Sequence, residues 1–184
     1  MINLNTIETD RLIIRNWELD DYLDMYELNS DEKVNPNAGC SVVKDTEKVK
    51  NSLKSFIANS LSFAIVLKTE NKVIGNIGMD KITLDESLKH LNQGYIGYRL
   101  NSNYWGKGYA TESAQYFIKY LFENLDLDLI WSSHFEFNGK SKRVIEKCRF
   151  NYKFSRNKKV KALNDITVRE LFYSLNKNDF YKQS

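Results

Sequence analysis

The chain has 184 residues, of which 42% are hydrophobic, 13% aromatic and 28% charged. This composition excludes a disordered tail or linker, and the length favours a single domain over residues 1–184. Lys and Arg outnumber Asp and Glu by 27 to 24, and the resulting net charge of +3 is too small to indicate nucleic-acid binding. No apolar run approaches the roughly 18 residues of a membrane-spanning helix, and Met1 starts no leader pattern, so we expect a cytoplasmic protein without membrane contact.

Metal and disulfide chemistry are not indicated by the cysteines and histidines. Cys40 and Cys148 form no CxxC pair, and only His90 and His134 accompany them. Zinc sites and disulfide frameworks need more such residues at closer spacing, so we expect two reduced thiols and no metal. The excess of positive charge lies mostly in residues 140–161. These residues form either a solvent-exposed face or a binding site for a phosphorylated ligand.

The first third of the chain is predicted to form a strand and two helices. The strand covers Asp10 to Asn16, and the helix after it starts in an acidic turn. The apolar stripe of this helix is predicted at Leu19, Tyr22, Leu23 and Tyr26. A loop over Asn29 to Lys44 leads to a second helix that Asp45 or Thr46 caps.

Strands dominate the rest of the chain, with two further helices among them. Leu61 to Lys68 and Val73 to Ile82 predict an antiparallel hairpin, and Gly94 to Leu100 predicts a strand whose Gly97 indicates a bulge or a close backbone approach. Two further helices are predicted over Tyr109 to Asn124 and Asn138 to Arg149. Three further strands are predicted over Leu127 to Phe135, Phe150 to Arg156 and Ile166 to Leu175. The predicted class is α+β, with one strand, helix, strand crossover in the middle.

Gly106 and Gly108 are the first residues that indicate chemistry, because they come between a strand and the start of the best helix. Two glycines there allow successive backbone N–H groups to turn toward one anion, such as a pyrophosphate. The spacing matches neither the GxxxxGK[ST] loop nor the dinucleotide fingerprint. A flexible turn before the helix is the alternative interpretation.

Three segments resemble the GNAT N-acetyltransferase superfamily, in particular its branch of Rim-type ribosomal-protein N-terminal acetyltransferases. The string Tyr104 to Glu112 (YWGKGYATE) is similar to the acyl-coenzyme A loop of that branch, with Asn103 where Gln or Arg is usual. Glu8 to Arg15 resembles its N-terminal strand, and Asn138 to Phe150 resembles its N-x-x-S-x-x-V-x-E-K-x-G-F motif, with Arg149 at the usual glycine. The resemblance implies a single-domain GNAT-like fold, in which a mixed, mostly antiparallel, splayed sheet of about six to seven strands is flanked by about four helices.

The resemblance also implies acetyl-CoA as cofactor and assigns the residues that hold it. Backbone groups of the loop and of the open strand edge, together with two residues of the third motif, would bind it: Tyr98, Arg99, Leu100, Gly106, Lys107, Gly108, Tyr109, Ala110, Thr111, Asn138 and Ser141. Asn138 would bond the pantetheine arm, and Ser141 would return a proton to the leaving thiolate. A first-turn serine that only caps its helix is the alternative for Ser141.

The proton acceptor for the amine remains open between several residues. The branch often carries a Glu just before the Gly-Tyr of the fourth strand, but Tyr95 and Ile96 stand there in this chain. Glu136, His134 and Asp80 could each accept a proton. For His134 the alternative is a hydrogen-bonded strand histidine without a catalytic role.

The first hypothesis is therefore an acetyl-CoA-dependent N-acetyltransferase acting on a primary amine of a protein N-terminus or a small molecule, as a monomer or homodimer. The second is an acyl-CoA-binding regulatory module with the same fold and no turnover. The resemblance places acceptor specificity in Glu18 to Ser60 and Leu84 to Asn92. The acidic residues between Glu18 and Ser60 could attract a cationic acceptor or form a solvent-exposed helix face. They are Asp20, Asp21, Asp24, Glu27, Asp31 and Glu32.

Overall fold

Eight strands form one twisted sheet in the computed structural model, which describes residues 5–59 and 62–182. The order across the sheet is β1-β2-β3-β4-β5-β6-β8-β7. The strands are β1 (Ile7–Glu8), β2 (Leu12–Arg15), β3 (Ser62–Leu67), β4 (Lys72–Asp80), β5 (Gln93–Leu100), β6 (Leu129–Phe135), β7 (Asn151–Val160) and β8 (Ile166–Asn176). The expected mixed, mostly antiparallel sheet is confirmed, and the strand beyond the predicted six to seven is the two-residue β1.

Helices cover both faces of this sheet. They are α1 (Tyr22–Ser30), α2 (Thr46–Asn59), α3 (Tyr109–Asn124), α4 (Gly139–Lys147) and the short α5 (Lys177–Tyr181). Side chains of β3 alternate between two cores, because Ala64 and Val66 pack with α1 and α2 while Phe63 and Ile65 pack with α3. Within the described residues, no helix combines the length and apolarity needed to cross a membrane.

The helix α1 is confirmed, and its predicted apolar stripe is right for Tyr22 and Tyr26, which pack against the core, and wrong for Leu19 and Leu23. Leu19 and Leu23 are 68% and 74% exposed, and Met25 and Leu28 are buried instead. The first turn is a 3-10 helix over Leu19–Asp21, which shifts the side-chain phase relative to an α-helix. Arg15 also holds Asp21 inward through an ion pair of 2.7 Å, so the turn presents a carboxylate to the protein rather than a leucine.

The sheet opens between β5 and β6, which are the only parallel neighbours among the described strands. Their pairing extends only from Gln93 opposite Leu129 to Tyr95 opposite Trp131. Beyond Tyr95 the two strands diverge, and their facing backbone edges line a cleft. The predicted crossover between them is confirmed, and α3 has the bounds that the sequence indicates.

Gly97 does not introduce the bulge that its place in β5 suggested. The β4–β5 ladder runs from Gly75 opposite Leu100 to Asp80 opposite Tyr95 without a register shift. A β-carbon built on Gly97 would have no described atom within 4 Å, so the backbone does not approach closely there either. The missing side chain instead leaves open space in the cleft.

Arg149, where the motif has glycine, takes the left-handed conformation with φ of 63° just after α4. A side chain in this region costs about 1 kcal/mol or more, whereas glycine adopts it freely. We therefore expect Arg149→Gly to raise the free energy of unfolding by about 1 kcal/mol. Urea denaturation of both proteins measures it, and an unchanged or lower value would mean that the contacts of the arginine outweigh the backbone strain.

Candidate active site

A cleft of about 550 Å³ begins where β5 and β6 diverge. The predicted cofactor residues line it apart from Lys107, and they come from β5, the loop before α3, and the starts of α3 and α4. The opposite wall comes from the loop that contains Val34 and Cys40. The fold thus brings segments that are distant in the sequence to one cavity that reaches both faces of the sheet.

The glycine loop has the geometry of an anion site. Gly106 and Gly108 have φ of 78° and 86°, a region that side chains rarely enter. Gly108 precedes α3, whose first backbone bond runs from the N–H of Glu112 to the carbonyl of Gly108 at 3.0 Å. Within the described chain, the three N–H groups before Glu112 therefore lack an intrahelical acceptor and can bind a ligand.

Arg11 and Glu112 connect this loop to the segment between β1 and β2. The Glu112 carboxylate accepts hydrogen bonds from the Thr9 hydroxyl at 2.6 Å and from Arg11 Nε at 2.7 Å. Arg11 also donates to the Lys107 carbonyl at 3.0 Å and lies over the Tyr109 ring. Burial alone would raise the pKa of Glu112, but the bonds from Thr9 and Arg11 outweigh it and lower the pKa. The role of Arg11 could not be predicted from the sequence, because it lies 101 positions before Glu112 in the chain.

Ser141 and Tyr98 form a pair of hydroxyls inside the cleft. Ser141 Oγ lies 3.0 Å from the Tyr98 hydroxyl. Burial raises the pKa of Tyr98, so the phenol stays neutral and keeps its proton. The capping role belongs to Asn138, whose Oδ1 accepts from the Ser141 N–H at 3.1 Å while its Nδ2 donates to the Asn37 carbonyl at 3.0 Å. The Ser141 hydroxyl is therefore not used as a helix cap.

The residues expected as proton acceptors differ in their access to the cleft. Glu136 is 61% exposed at its side chain, pairs with Arg169 at 3.4 Å and does not line the cleft. Asp80 is exposed at the end of β4, also outside the lining. His134 lines the cleft, but Nδ1 lies 2.8 Å from the Phe135 carbonyl and Nε2 lies 3.1 Å from the Tyr173 hydroxyl. Since a carbonyl only accepts, Nδ1 carries the hydrogen of the neutral ring and Nε2 accepts from Tyr173.

A chain of hydrogen bonds that the sequence did not reveal reaches the cleft from β8. Glu170 is buried, and its Oε1 lies 2.5 Å from Ser133 Oγ, which lies 2.7 Å from the Tyr95 hydroxyl. The carboxylate can only accept, so Ser133 donates to Glu170 and Tyr95 donates to Ser133. Burial raises the pKa of Tyr95 to about 12, so its phenol stays protonated and can relay a proton. A lone pair of the Tyr95 oxygen is left for a ligand in the cleft.

A family model described as an acetyltransferase (GNAT) domain matches residues 11–151. The chain belongs to the GNAT acetyltransferase family. The uncharacterized N-acetyltransferase YnaD from Bacillus subtilis is 32% identical over 143 residues, which are 77% of this chain and 79% of YnaD. The similarity predicted from the three motifs is confirmed, and the protein is an enzyme of the acetyltransferase class.

Solved structures agree with the GNAT assignment. A GNAT-family acetyltransferase from Bacillus anthracis superposes with a TM-score of 0.82 at 27% identity, covering 95% of this chain and 99% of that chain. Ribosomal-protein-S5-alanine acetyltransferase from Vibrio fischeri superposes with a TM-score of 0.76 at 20% identity, covering 96% of this chain and 99% of that chain. The second similarity shows that the GNAT domain shares its fold with the Rim-type branch.

Most acidic residues near the first helices of this GNAT domain already have structural partners. Asp24 and Glu27 both pair with Lys72, at 2.7 and 2.8 Å. Asp31 accepts from backbone N–H groups of its own loop and from the N–H of Ser102 at 3.0 Å. Their charges are therefore used to fix α1 and its loop, and they do not line the cleft.

Three cations of the described chain instead line the GNAT cleft on the side of α4. They are Lys140, Arg143 and Lys147. Lys140 Nζ lies 4.5 Å from the centre of the Trp105 ring. Trp105 Nε1 donates a hydrogen bond to the Leu100 carbonyl at 2.7 Å, which holds the ring beside the glycine loop. These cations increase the attraction of the glycine loop for a phosphorylated ligand.

Substitutions of Gly108 test whether the GNAT loop binds an anion. They distinguish the strain of a positive φ from the steric effect of a β-carbon beside the N–H groups. Asn tolerates positive φ better than other side chains, so Gly108→Asn should fold while it adds a β-carbon beside the N–H groups. We expect acetyl-CoA affinity to fall by at least about tenfold in both Gly108→Asn and Gly108→Val. Calorimetry with acetyl-CoA measures the affinity. Unchanged affinity in folded Gly108→Asn would show that the loop is only a turn.

Proposed function

We propose that this GNAT domain transfers the acetyl group of acetyl-CoA to a primary amine of a protein N-terminus or a small molecule, by direct attack in a ternary complex. The observation that carries the proposal is the cleft itself. It has the glycine loop at one end, the two unpaired strand edges along it, and hydroxyl groups of Tyr98, Ser141 and Tyr95 within it.

The residues of the cleft fit the cofactor. A β-carbon on Gly106 would meet no described atom within 4 Å, so the loop leaves room for a phosphate group beside its N–H donors. The N–H groups of Tyr109, Ala110 and Thr111 would hold the pyrophosphate, and the backbone of Tyr98 to Leu100 would pair with the pantetheine amides. When bound, acetyl-CoA supplies an activated acetyl thioester.

The Ser141 and Tyr98 hydroxyls are the proposed proton donors toward the leaving sulfur. When Tyr98 donates to Ser141 Oγ, the hydrogen of Ser141 is free to point elsewhere in the cleft. The Tyr98 O–H then stabilises the negative charge that develops on Ser141 Oγ as Ser141 gives up its proton to the sulfur. The two hydroxyls act as a unit, and neither needs to ionise beforehand.

The relay from Tyr95 to Glu170 is the proposed route by which the amine loses its proton. The ammonium proton passes to the Tyr95 oxygen, the Tyr95 proton passes to Ser133, and the Ser133 proton passes to the Glu170 carboxylate. Charge balances, because the ammonium becomes a neutral amine and the carboxylate becomes a neutral acid. The roles expected for Glu136 and His134 stay predictions, with Glu136 outside the cleft and both nitrogens of His134 hydrogen-bonded.

Thiol release from acetyl-CoA, measured with a panel of amines and N-terminal peptides, tests the proposal. We expect release that depends on the acceptor and a product heavier than the acceptor by one acetyl group. Tight binding of acetyl-CoA without release on any acceptor would contradict the proposal and favour the regulatory module.

A further inference from the structure

Arg99 carries a positive charge into the cleft without a counter-charge. Its side chain lies on the face of β5 that also carries Gly97, opposite to Tyr98 and Leu100, which pack with α3. Burial lowers the pKa of Arg99. Arg99 is half-buried, and no carboxylate of the described chain lies within 4 Å of its guanidinium, whereas cations withdrawn from water are normally paired.

Two amide oxygens fix the orientation of the guanidinium but leave its charge intact. Nη1 donates to Asn35 Oδ1 at 2.8 Å, and Nε donates to Asn76 Oδ1 at 3.1 Å. Asn35 is itself fully buried and held by three bonds from its Nδ2 to carbonyls of the α1 end. Within the described chain Nη2 makes no hydrogen bond, so its N–H groups remain for a ligand in the cleft.

The wall beside Arg99 that the loop after α1 forms supplies no negative charge. Val34, Asn37, Ala38 and Cys40 form it on the side of the loop. Glu170 is the one acidic residue among the described residues that line the cleft, and it is already bonded to Ser133 and paired with Lys158 at 3.6 Å. A ligand on this side therefore meets a net positive field from Arg99.

We propose that Arg99 binds an oxyanion, a carboxylate or a phosphate, carried by the amine acceptor. Arg99 lies on the same face of β5 as Tyr95, the proposed proton acceptor, and four residues along the strand, or about 13 Å, so the oxyanion is separated from the reacting amine by several bonds. A planar guanidinium with free N–H groups suits both kinds of oxyanion. The acceptor class is thus an amine with an acidic group at some distance, which rests on the proposed transfer to an amine.

Matched acceptor pairs test this charge preference by calorimetry on the protein saturated with CoA. Each pair differs only in the oxyanion: ε-aminocaproate and its carboxamide, phosphoethanolamine and ethanolamine, and the amidated peptides Ala-Asp-Ala and Ala-Asn-Ala. We expect at least about tenfold tighter binding of the anionic member in at least one pair. The pair that shows it identifies a carboxylate, a phosphate or an acidic peptide as the source. Equal binding in all three pairs would overturn the proposal.

Two variants of Arg99 and one control variant show whether Arg99 is responsible for the preference for the anionic acceptor. Arg99→Gln should reduce the affinity ratio of the preferred pair to near one, whereas Arg99→Lys should retain part of it. Arg169→Gln removes a cation that does not line the cleft and should keep the ratio. A ratio that survives in folded Arg99→Gln would contradict the assignment. If Arg99→Gln does not fold, the ratios of wild type and Arg99→Lys still decide it.

Turnover measurements distinguish an error in the proposed Arg99 subsite from an error in the proposed acetyl transfer. Equal thiol release from both members of every pair, with equal binding, would remove the subsite and leave the transferase in place. Anion-dependent binding through Arg99 without thiol release would keep the subsite and contradict acetyl transfer. Acetyl-CoA affinity is measured for each variant, so that a loss of cofactor is not mistaken for a loss of acceptor.

Discussion

Glu170→Gln is expected to lower the turnover number for acetyl transfer by about 100-fold, the lower end of the range for a general base. The glutamine keeps the shape and can still accept a hydrogen bond from Ser133, but it cannot take up a proton. The ion pair with Lys158 contributes little to stability, because the lysine side chain is 58% exposed. Steady-state kinetics with saturating acetyl-CoA measures the effect.

Glu136→Gln is the matched control, because it removes a carboxylate that the sequence suggested and that lies outside the cleft. Since Glu170 acts through Ser133 and Tyr95, the pH profile of kcat/KM separates a proton relay from a packing defect. We expect the acid limb of the wild-type profile to be lost in Glu170→Gln and kept in Glu136→Gln. Tyr95→Phe should resemble Glu170→Gln, because it interrupts the same chain. Full activity of Glu170→Gln, or the loss of activity only in Glu136→Gln, would contradict the relay.

Gly97→Val is expected to lower turnover by about 100-fold without loss of stability, because it fills the cleft where the strands have diverged. Gly97 does not have positive φ, and its missing β-carbon would meet no described atom within 4 Å. The fold therefore tolerates valine, but an acceptor or thioester in the cleft would be displaced. Turnover and thermal melting are measured on the same preparations.

Gly139→Val is the control for Gly97→Val, because it adds the same side chain outside the cleft. A β-carbon at Gly139 also meets nothing within 4 Å, and the residue does not line the cleft. We expect Gly139→Val to retain turnover. If Gly97→Val retains it as well, the reacting groups do not meet beside Gly97, and the placement of the amine near Tyr95 is wrong.

Several features were determined by the sequence alone, because they depend on residues close together in the chain. The bounds of α3 follow from its apolar period and from the glycines before it, and the hairpin of β3 and β4 follows from two β-rich runs around a short polar connection. Of the two predicted caps of α2, Asp45 is the one that accepts hydrogen bonds, from the N–H groups of Glu47 and Lys48. The motif around Gly106 and Gly108 also indicated the family, since its chemistry lies in one short loop.

Only the tertiary structure decided which side chains meet across elements. Ser133 reaches Glu170 because β6 pairs with β8 in a register that places Phe135 opposite Glu170, and no local pattern fixes that register. Arg99 reaches Asn35 because the loop after α1 folds over β5, across 64 residues of chain. The ion pair between Arg15 and Asp21 likewise fixes the turn before α1, and Met25 and Leu28 rather than Leu19 and Leu23 face the core. Periodicity and glycine spacing act within one element, whereas these contacts depend on how separate elements are packed.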